Sequence, residues 1–401
     1  MTPARTAALA LAVTLAIQVF TSLAATATSV LAPMIAVELA VPGKLVGIFV
    51  GIIYIGSMIG SLGSGTFIGR FGAIRVSQVC VLLCAAGLAM AGSAAAPPSP
   101  SIALLAVSPL VIGLGYGPIT PASSHVLIRT ASPARMALTF SIKQTGVPAG
   151  TALAGALLPG LALLLGWRAT FVIVSLLGLG VAAIAQSTRG TFDAERTAPR
   201  PMSLAAVVAP LKLVFVTPAL SLLALTGFVY AATQVCLVSF LVIYLTETLG
   251  HSLVAAGLAL TVANAGGIVG RIGWGAVADR YVRPRTLLGL IGVAAGSCGY
   301  VTAAFGATWP VVSTLAVCAL FGATAIGWNG VQLAELARNA PVGQAATVTG
   351  AANFVTFAGV VVGPPTFAVL SALTESYRIG FGAFGTLSAL CGLWLLWQRN
   401  K

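Results

Sequence analysis

The sequence predicts an all-α membrane protein with 12 transmembrane helices in two pseudo-symmetric six-helix bundles. Three observations carry this prediction: the composition, the recurrence of long apolar segments and an internal repeat. Of the 401 residues, 58% are hydrophobic and 7% are charged, and the mean hydropathy is +1.04. This composition leaves too little polar surface for a water-soluble fold of this size, so the expected solvent is the lipid bilayer.

Apolar runs of about 20 residues, the length that crosses a bilayer, recur from one end of the chain to the other. Short connections that carry Arg, Pro, Gly or Asp separate them. The predicted spans are residues 7–31, 43–66, 76–96, 102–126, 137–164, 168–187, 214–245, 252–276, 286–306, 309–333, 344–371 and 377–398.

The 20 Lys and Arg residues predict the orientation, because retained positive charge marks the cytoplasmic side of a membrane protein. Connections on one side hold 15 of them, whereas Lys44, Arg168 and Arg378 face the other side. Both termini and the middle connection are therefore predicted to be cytoplasmic, in a bacterial-type inner membrane. Topology explains the net charge of +13, so no nucleic-acid partner is expected.

The longest polar connection runs from Ser187 to Lys212 and divides the chain near its middle. We predict an N-terminal bundle over 1–187, a cytoplasmic linker over 188–213 and a C-terminal bundle over 214–401. A constant offset of 210 residues relates the two bundles and indicates a parallel repeat. The matched pairs are Gly56 and Gly266, Gly60 and Gly270, Gly65 and Gly275, Arg70 and Arg280, Arg75 and Arg285, Gly117 and Gly327, and Arg168 and Arg378.

One repeated loop carries a recognisable motif. The segment Gly275-Ala-Val-Ala-Asp279-Arg280, followed by Arg283 and Arg285, resembles the signature loop of the major facilitator superfamily. Its repeat partner runs from Gly65 to Arg75, with Gly69 at the place of the usual Asp. The resemblance covers the whole chain and implies a carrier in which this loop is a gating element. It assigns gating roles to Arg70, Arg75, Asp279 and Arg280, and it leaves the first-half loop without the carboxylate that the family uses to hold one gating state.

Two cations lie at membrane depth. Lys143 in span five and Arg271 in span eight are each about eight residues, or ~12 Å of helix, from the predicted cytoplasmic side. None of the seven carboxylates falls near the bilayer centre. Because charge is costly there, we predict an anionic substrate, which Arg can hold with two parallel hydrogen bonds and Lys with a point charge. The alternative is that both long side chains snorkel to the interface.

The segment Gly270-Arg271-Ile-Gly-Trp-Gly275 resembles the eighth helix of monocarboxylate porters and of the oxalate/formate antiporter, in which the matching Arg binds the substrate carboxylate. Two positions depart from those relatives. Gly267 stands where the animal porters have Asp, and Asn353 stands where the antiporter has Lys. Since Lys143 is the repeat partner of Asn353, the second cation is predicted to have moved to the pseudo-symmetric helix.

Further polar side chains at membrane depth are candidates to line the path. For Gln234, Tyr54 and Tyr230, ordinary interhelical hydrogen bonding is the alternative interpretation. The six cysteines all fall inside apolar spans, where they are expected to pack, so neither a metal site nor a cofactor is expected. The candidates are Asn264, Gln234, Tyr230, Trp328, Asn329, Gln144, Tyr54 and Asn353.

These features predict a secondary active transporter and not an enzyme, with no cofactor. It would work by alternating access as a monomer in the lipid bilayer, with a small organic anion, a monocarboxylate, as its substrate. Proton symport and anion exchange both remain open as its coupling. The alternative is an efflux carrier for multiple drugs or amphipathic compounds, which would need an acidic residue within the membrane for cationic cargo.

Overall fold

The computed structural model describes residues 2–38, 45–94, 102–194, 204–306 and 308–397. Twelve helical segments in these ranges are long and apolar enough to cross a membrane, which confirms the predicted fold class. Residues 43–44, 95–96 and 398 of the predicted spans, residues 195–203 of the predicted linker, and Lys44 with its predicted side lie outside the described ranges.

The first half of the chain forms eight helices that make six spans. Two of the spans are interrupted: one between α4 and α5, the other by a 3₁₀ turn at Pro133–Arg135 and a short break between α6 and α7. The helices are α1 (Pro3–Glu38), α2 (Leu45–Phe71), α3 (Ala73–Ala94), α4 (Ile102–Tyr116), α5 (Ile119–Thr130), α6 (Met136–Gln144), α7 (Gly146–Leu165) and α8 (Trp167–Gln186).

The second half repeats this order after two connecting helices, α9 (Arg189–Phe192) and α10 (Leu204–Val216). The span of α11 ends in a π-helical turn at Tyr244–Thr248, and the span of α14 and α15 is interrupted as its first-half partner is. The helices are α11 (Pro218–Ile243), α12 (Leu253–Arg280), α13 (Pro284–Ala303), α14 (Val311–Ala325), α15 (Asn329–Asn339), α16 (Ala345–Thr374) and α17 (Tyr377–Trp397).

The predicted start of span seven at residue 214 is wrong. Residues 214–216 complete α10, and the chain leaves the helical conformation at Thr217, with φ −90° and ψ 110°. The cause is Pro218, which disfavours a helical conformation in the residue before it and begins α11 at a position that needs no N–H. The 13 residues of α10 are too few to cross a bilayer, although they are largely apolar.

Glycines at repeat-related positions bring neighbouring helices into contact. A methyl group added at Gly56 or Gly60 of α2 would lie 2.7 or 2.8 Å from a carbonyl oxygen of α4. Gly266 and Gly270 of α12 face carbonyl oxygens of α14 in the same way, with still less room. The 210-residue offset therefore marks positions where only glycine permits the backbones to approach this closely.

The chain divides into two compact units, each of which holds most of one half and a short segment of the other. Unit 1 comprises Met1–Ala131, Lys143–Val216 and Ala340–Phe354, and unit 2 comprises Ser132–Ile142, Thr217–Asn339 and Val355–Lys401. The boundaries drawn from the sequence at 187 and 214 stay a prediction about the two bundles.

Candidate functional site

Lys143 lies inside unit 1, where α6 gives way to α7. The break follows from Pro148, which has no N–H to donate to the carbonyl of Gln144 one turn earlier. The Lys143 side chain is 1% exposed. Its Nζ donates to Oε1 of Gln18 at 2.6 Å and to Oε1 of Gln144 at 3.1 Å. These two acceptors are neutral amides, and the burial of the ammonium argues against snorkelling to lipid headgroups.

Gln18 begins a polar stripe on α1 that the sequence analysis missed. Ser22, Thr26 and Ser29 follow it at intervals of four, four and three residues, which places them on one helix face. The Gln18 Nε2 donates to Oγ of Ser22 at 3.2 Å. Polar residues repeated at helical spacing within an apolar span are a signal that could have been read from the sequence.

This stripe faces a cavity of about 110 Å³ within unit 1. The predicted residue Tyr54 of α2 is half-buried and lines the cavity together with Tyr116 of α4 and Thr151 of α7. Gly150 lets α7 approach α1 there, since an added methyl group would lie 2.8 Å from Cβ of Ser22. The predicted residue Tyr54 and the missed stripe thus share one cavity.

Arg271 lies in unit 2, on α12, with its side chain 1% exposed. Its Nε donates to the carbonyl of Ile326 at 3.1 Å, and its Nη2 donates to Oδ1 of Asn329 at 2.7 Å. The carbonyl is available because α14 ends at Ala325 and α15 begins at Asn329, so the intervening turn leaves helix carbonyls to other donors. The structure brings the predicted pair Arg271 and Asn329 together and does not extend the guanidinium towards an interface.

Trp328 and Tyr230 are buried supports of unit 2. Trp328 is 0% exposed, and its Nε1 donates to the carbonyl of Ala325 at 3.0 Å. The Tyr230 hydroxyl donates to the carbonyl of Leu288 at 2.9 Å. The two rings meet edge to face, with centroids 5.7 Å apart. Backbone carbonyls thus accept from the polar atoms of both side chains, which favours the structural interpretation for Tyr230. Trp328 immediately precedes Asn329, the residue that accepts from Arg271.

The remaining candidates differ in burial. Asn264, two helical turns before Arg271, is half-buried, and its Nδ2 donates to the carbonyl of Leu260 on its own helix at 2.9 Å. Gln234 on α11 is half-buried. Asn353 on α16 is 7% exposed and belongs to unit 1, as Lys143 does. The candidates therefore fall into two sets, one in each unit.

The second-half motif loop makes a directed contact inside unit 2. The carboxylate of Asp279 accepts the backbone N–H groups of Ala137 at 2.9 Å and Leu138 at 2.8 Å. Arg338 Nη2 also reaches Oδ1 of Asp279 at 3.3 Å. A carboxylate on the first turn of a helix satisfies N–H groups that have no intrahelical acceptor and lies at the positive end of the helix dipole.

The other predicted gating residues lie at the surface or at a second carboxylate. Arg70 and Arg280 are exposed, and each guanidinium lies over the aromatic ring of the following residue. The backbone N–H of Arg75 donates to Oδ2 of Asp193 at 3.0 Å, and that of Ile74 donates to Oδ1 at 2.9 Å. Sequence reasoning assigned Asp193 to the linker without a role, because its partner helix begins more than a hundred residues earlier.

A family model for the Major Facilitator Superfamily matches residues 14–364 of this chain. The fold is similar to that of a fucose:proton symporter of E. coli, with a TM-score of 0.79, 17% identity, and 98% of this chain and 99% of that chain covered. A bacterial homologue of the iron transporter ferroportin gives a TM-score of 0.77 at 16% identity, covering 98% of this chain and 100% of that one.

A human organic anion transporter is similar at a TM-score of 0.74 and 17% identity, with 98% of this chain and 100% of that chain covered. No curated protein sequence matches the chain. By their names, the three solved proteins are a fucose symporter, a homologue of an iron transporter and an organic anion transporter. The likeness therefore establishes the fold, and the cargo has to be argued from the residues of this chain.

Proposed function

Because the chain belongs to the Major Facilitator Superfamily and is a secondary transporter, not an enzyme, we propose that its cargo is a small organic anion, a monocarboxylate. Recognition of the negative charge is assigned to Arg271 and Lys143, each within its own unit. The observation that carries the proposal is the burial of the Arg271 guanidinium against a backbone carbonyl and the amide of Asn329. The resemblance of residues 270–275 to the eighth helix of the monocarboxylate porters and of the oxalate/formate antiporter supports this assignment.

Gln18 and Gln144 accept hydrogen bonds from Lys143, and Ile326 and Asn329 accept them from Arg271. Amide and carbonyl oxygen atoms orient a cation without carrying a negative charge themselves. A buried positive charge costs free energy that a negatively charged ligand offsets. Guanidinium has five N–H donors in a planar fork, so it can keep neutral acceptors on one edge and take a carboxylate on another. Arg271 is thus suited to give direction to the anion, and Lys143 to add charge.

Transport by alternating access needs a cargo that binds the two facing states with different affinity. An anion that neutralises Arg271 and Lys143 supplies such a difference, because the cost of burying each charge changes on binding. The coupling is proposed to be proton symport or anion exchange. The positive-inside pattern supports cytoplasmic termini and a second-half motif loop on the cytoplasmic side. The protein is proposed to act as a monomeric carrier in a bacterial-type inner membrane.

The sharpest test is to place a carboxylate where Asn329 now accepts from Arg271. Asn329→Asp preserves size and shape but gives the guanidinium a permanent counter-ion, so we expect counterflow of radiolabelled lactate and formate in proteoliposomes to fall by about tenfold or more. Gln344→Glu adds the same charge at an exposed position just before α16, so it is the control and should retain wild-type counterflow. Equal transport by both variants would remove Arg271 from the site.

Arg271→Gln and Arg271→Lys separate charge from hydrogen-bond geometry. We expect Arg271→Gln to abolish saturable counterflow and Arg271→Lys to raise the KM, because Lys keeps the charge and loses the fork. Arg5→Gln, which removes a charge from an exposed position, is the control. A protein that carries cationic amphiphiles and no carboxylate would instead be the efflux carrier, and the anion proposal would fail.

A further inference from the structure

The cavity in unit 1 has an unusual wall for a membrane protein. Six of its ten lining residues carry hydroxyl groups, and the other four are Ala or branched aliphatic residues. It lies between α1, α2, α4 and α7, at about 110 Å³. The hydroxyl residues are Ser22, Thr26, Ser29, Tyr54, Tyr116 and Thr151.

A hydrogen-bonded chain joins this wall to the buried cation. Lys143 Nζ donates to Oε1 of Gln18, and Nε2 of Gln18 donates to Oγ of Ser22, which lines the cavity. Elsewhere on the same wall, the hydroxyls of Thr26 and Thr151 lie 3.3 Å apart. The positive charge on α6 is therefore connected to a concentration of neutral groups that both donate and accept hydrogen bonds.

Resting on the proposed function, we propose that the anion carried by this protein is a short hydroxycarboxylate, whose hydroxyl groups bind in the cavity of unit 1. A hydrocarbon chain in this cavity would strip water from the hydroxyls without replacing their hydrogen bonds, whereas a hydroxylated chain replaces them. A site built to pair with a ligand hydroxyl discriminates strongly against an analogue that lacks it.

The cavity volume limits the cargo. A cavity of about 150 Å³ accommodates a benzene molecule, so about 110 Å³ holds a fragment of fewer heavy atoms. The hydroxylated part of the cargo is therefore about two to four carbon atoms long. The competing explanation is that Ser and Thr hydroxyls only satisfy their own helices, as Thr26 does by donating to the carbonyl of Ser22, and that water fills the cavity.

Three acids of equal carbon number test the proposal in wild-type protein. Propionate, lactate and glycerate carry zero, one and two hydroxyl groups, and each should be measured as a competitor of labelled lactate counterflow in proteoliposomes. We expect glycerate to bind most tightly and propionate least, with roughly a five- to tenfold step in inhibition constant for each hydroxyl. Equal inhibition by all three would overturn the hydroxyl assignment and leave the anion proposal standing. Failure of all three to inhibit or exchange would count against the anion proposal itself.

Two near-isosteric variants test whether the hydroxyls of the cavity wall cause the preference for hydroxylated acids. Thr151→Val and Tyr116→Phe each remove one hydroxyl from the cavity wall, and each should lower the preference for glycerate over propionate about fivefold. Thr21→Val is the control, because Thr21 is buried on α1 and donates to its own helix at the carbonyl of Ile17. Unchanged preference in both cavity variants would mean that the hydroxyls are structural. If Tyr116→Phe fails to fold, the Thr151→Val measurement decides the question alone.

Discussion

The two motif loops of the repeat make different kinds of contact at matched positions. In the second half, the Asp279 carboxylate accepts N–H groups from the first turn of α6, at Ala137 and Leu138. In the first half, Gly69 replaces the Asp, and the position matched to Ala137 is Thr347, near the start of α16. There the contact is steric, because a methyl group added at Gly65 would lie 2.7 Å from Cα of Thr347.

The contact between a motif loop and its partner helix has two components, close approach at a glycine and a carboxylate that caps the helix. Close approach at a glycine is common to both loops, since a methyl group at Gly275 would lie 2.7 Å from Cβ of Ser141 and 3.0 Å from the carbonyl of Ala137. At this position of the loop, the second half has the capping carboxylate of Asp279 and the first half has Gly69. A negative charge at a helix N-terminus contributes about 0.3–1 kcal/mol, and up to ~2 kcal/mol when partly buried. Separating α6 from the second-half loop must therefore break packing and charge together.

The largest effect is expected from adding a methyl group at the shared glycines. Gly65→Ala should reduce counterflow by about tenfold or more, because the added methyl group would meet the backbone Cα of Thr347 at 2.7 Å as well as its Oγ1, which is closer still, and overpacking of this kind costs ~1–3 kcal/mol. Gly275→Ala should also reduce it, but its closest obstacles are Ser141 side-chain atoms. The double variant Gly275→Ala with Ser141→Gly should therefore recover most of the activity.

The corresponding double variant in the first half is the discriminating control. Gly65→Ala with Thr347→Gly removes the side chain but leaves Cα of residue 347 in place, so it should recover less activity than the second-half pair. Ser141→Gly and Thr347→Gly alone supply the baselines. Equal rescue in the two halves would mean that the two glycine contacts do not differ in the way the geometry indicates.

A smaller effect is expected from removing the charge of Asp279, which has no counterpart in the first-half loop. Asp279→Asn keeps the shape and loses the charge-assisted bonds, which should weaken the cap by about 1 kcal/mol and speed amide hydrogen exchange at Ala137 and Leu138 roughly fivefold. Exchange in the first turn of α16 should not change. Hydrogen exchange measured by mass spectrometry over 133–142 and 345–350 checks both expectations.

The reciprocal variant sharpens the comparison. Gly69→Asp restores the residue type at the matched loop position and should slow exchange at the start of α16, as Asp279 does at α6. Unchanged exchange there would mean that the first-half loop cannot form the cap. Arg338→Gln removes the exposed partner of Asp279 and should change exchange at α6 little, since exposed ion pairs contribute about 0–1 kcal/mol. An Arg338 effect as large as that of Asp279 would assign the contact to the ion pair and not to the cap.

The sequence predicted the features of the molecule that repeat or that span the membrane. Apolar length gave the twelve spans, and the 210-residue offset located the glycines that permit close helix contact, such as Gly65 and Gly275. The same offset paired Gly117 with Gly327, which lie at the breaks between α4 and α5 and between α14 and α15, but the breaks themselves were not predicted. The predicted features follow from hydrophobic length and from the internal repeat, and both can be recognised in a single sequence.

Contacts between single side chains distant in sequence were not predicted. The carboxylate of Asp193 caps α3 through the N–H groups of Ile74 and Arg75, but nothing local to Asp193 marks it as different from other polar linker residues. The role of Gln18 was missed because its partner Lys143 lies 125 residues away in the sequence. The environment of Lys143 is set by that amide, so its hydrogen-bonded chain to Ser22 became visible only in three dimensions.

The ends of the helices opposite the motif loops offer a second comparison between halves. In unit 1, Glu38 accepts from Trp167 Nε1 at 2.6 Å and pairs with Arg168. In unit 2, Glu247 accepts from the hydroxyl of Tyr377, which occupies the position matched to Trp167 at the 210-residue offset, at 2.9 Å. Both halves thus tie an aromatic residue to a carboxylate, but in unit 1 the next residue, Arg168, is an additional partner of the carboxylate.

This difference gives the smallest predicted effect, a dependence of stability on pH. The hydrogen bond from Arg168, and then that from Trp167, lowers the pKa of Glu38 below its ordinary value of 4.5. A depressed folded-state pKa stabilises the folded protein above the unfolded-state pKa, and the contribution is lost as pH falls through the folded-state pKa. The melting temperature of wild type should therefore drop slightly more than that of Glu38→Gln between about pH 5 and pH 3.

A double-mutant cycle isolates this contribution from the other carboxylates that titrate in the same range. Glu38→Gln and Arg168→Gln should each lower the melting temperature near pH 6, and the double variant should be no less stable than the less stable single one, because both remove the same pair. The coupling should be small and should shrink at high salt, since the Glu38 side chain is 46% exposed. Additive effects at pH 6 would show that Arg168 stabilises the protein without Glu38, through its cation–π contact with Trp167, at 4.6 Å from the ring centroid.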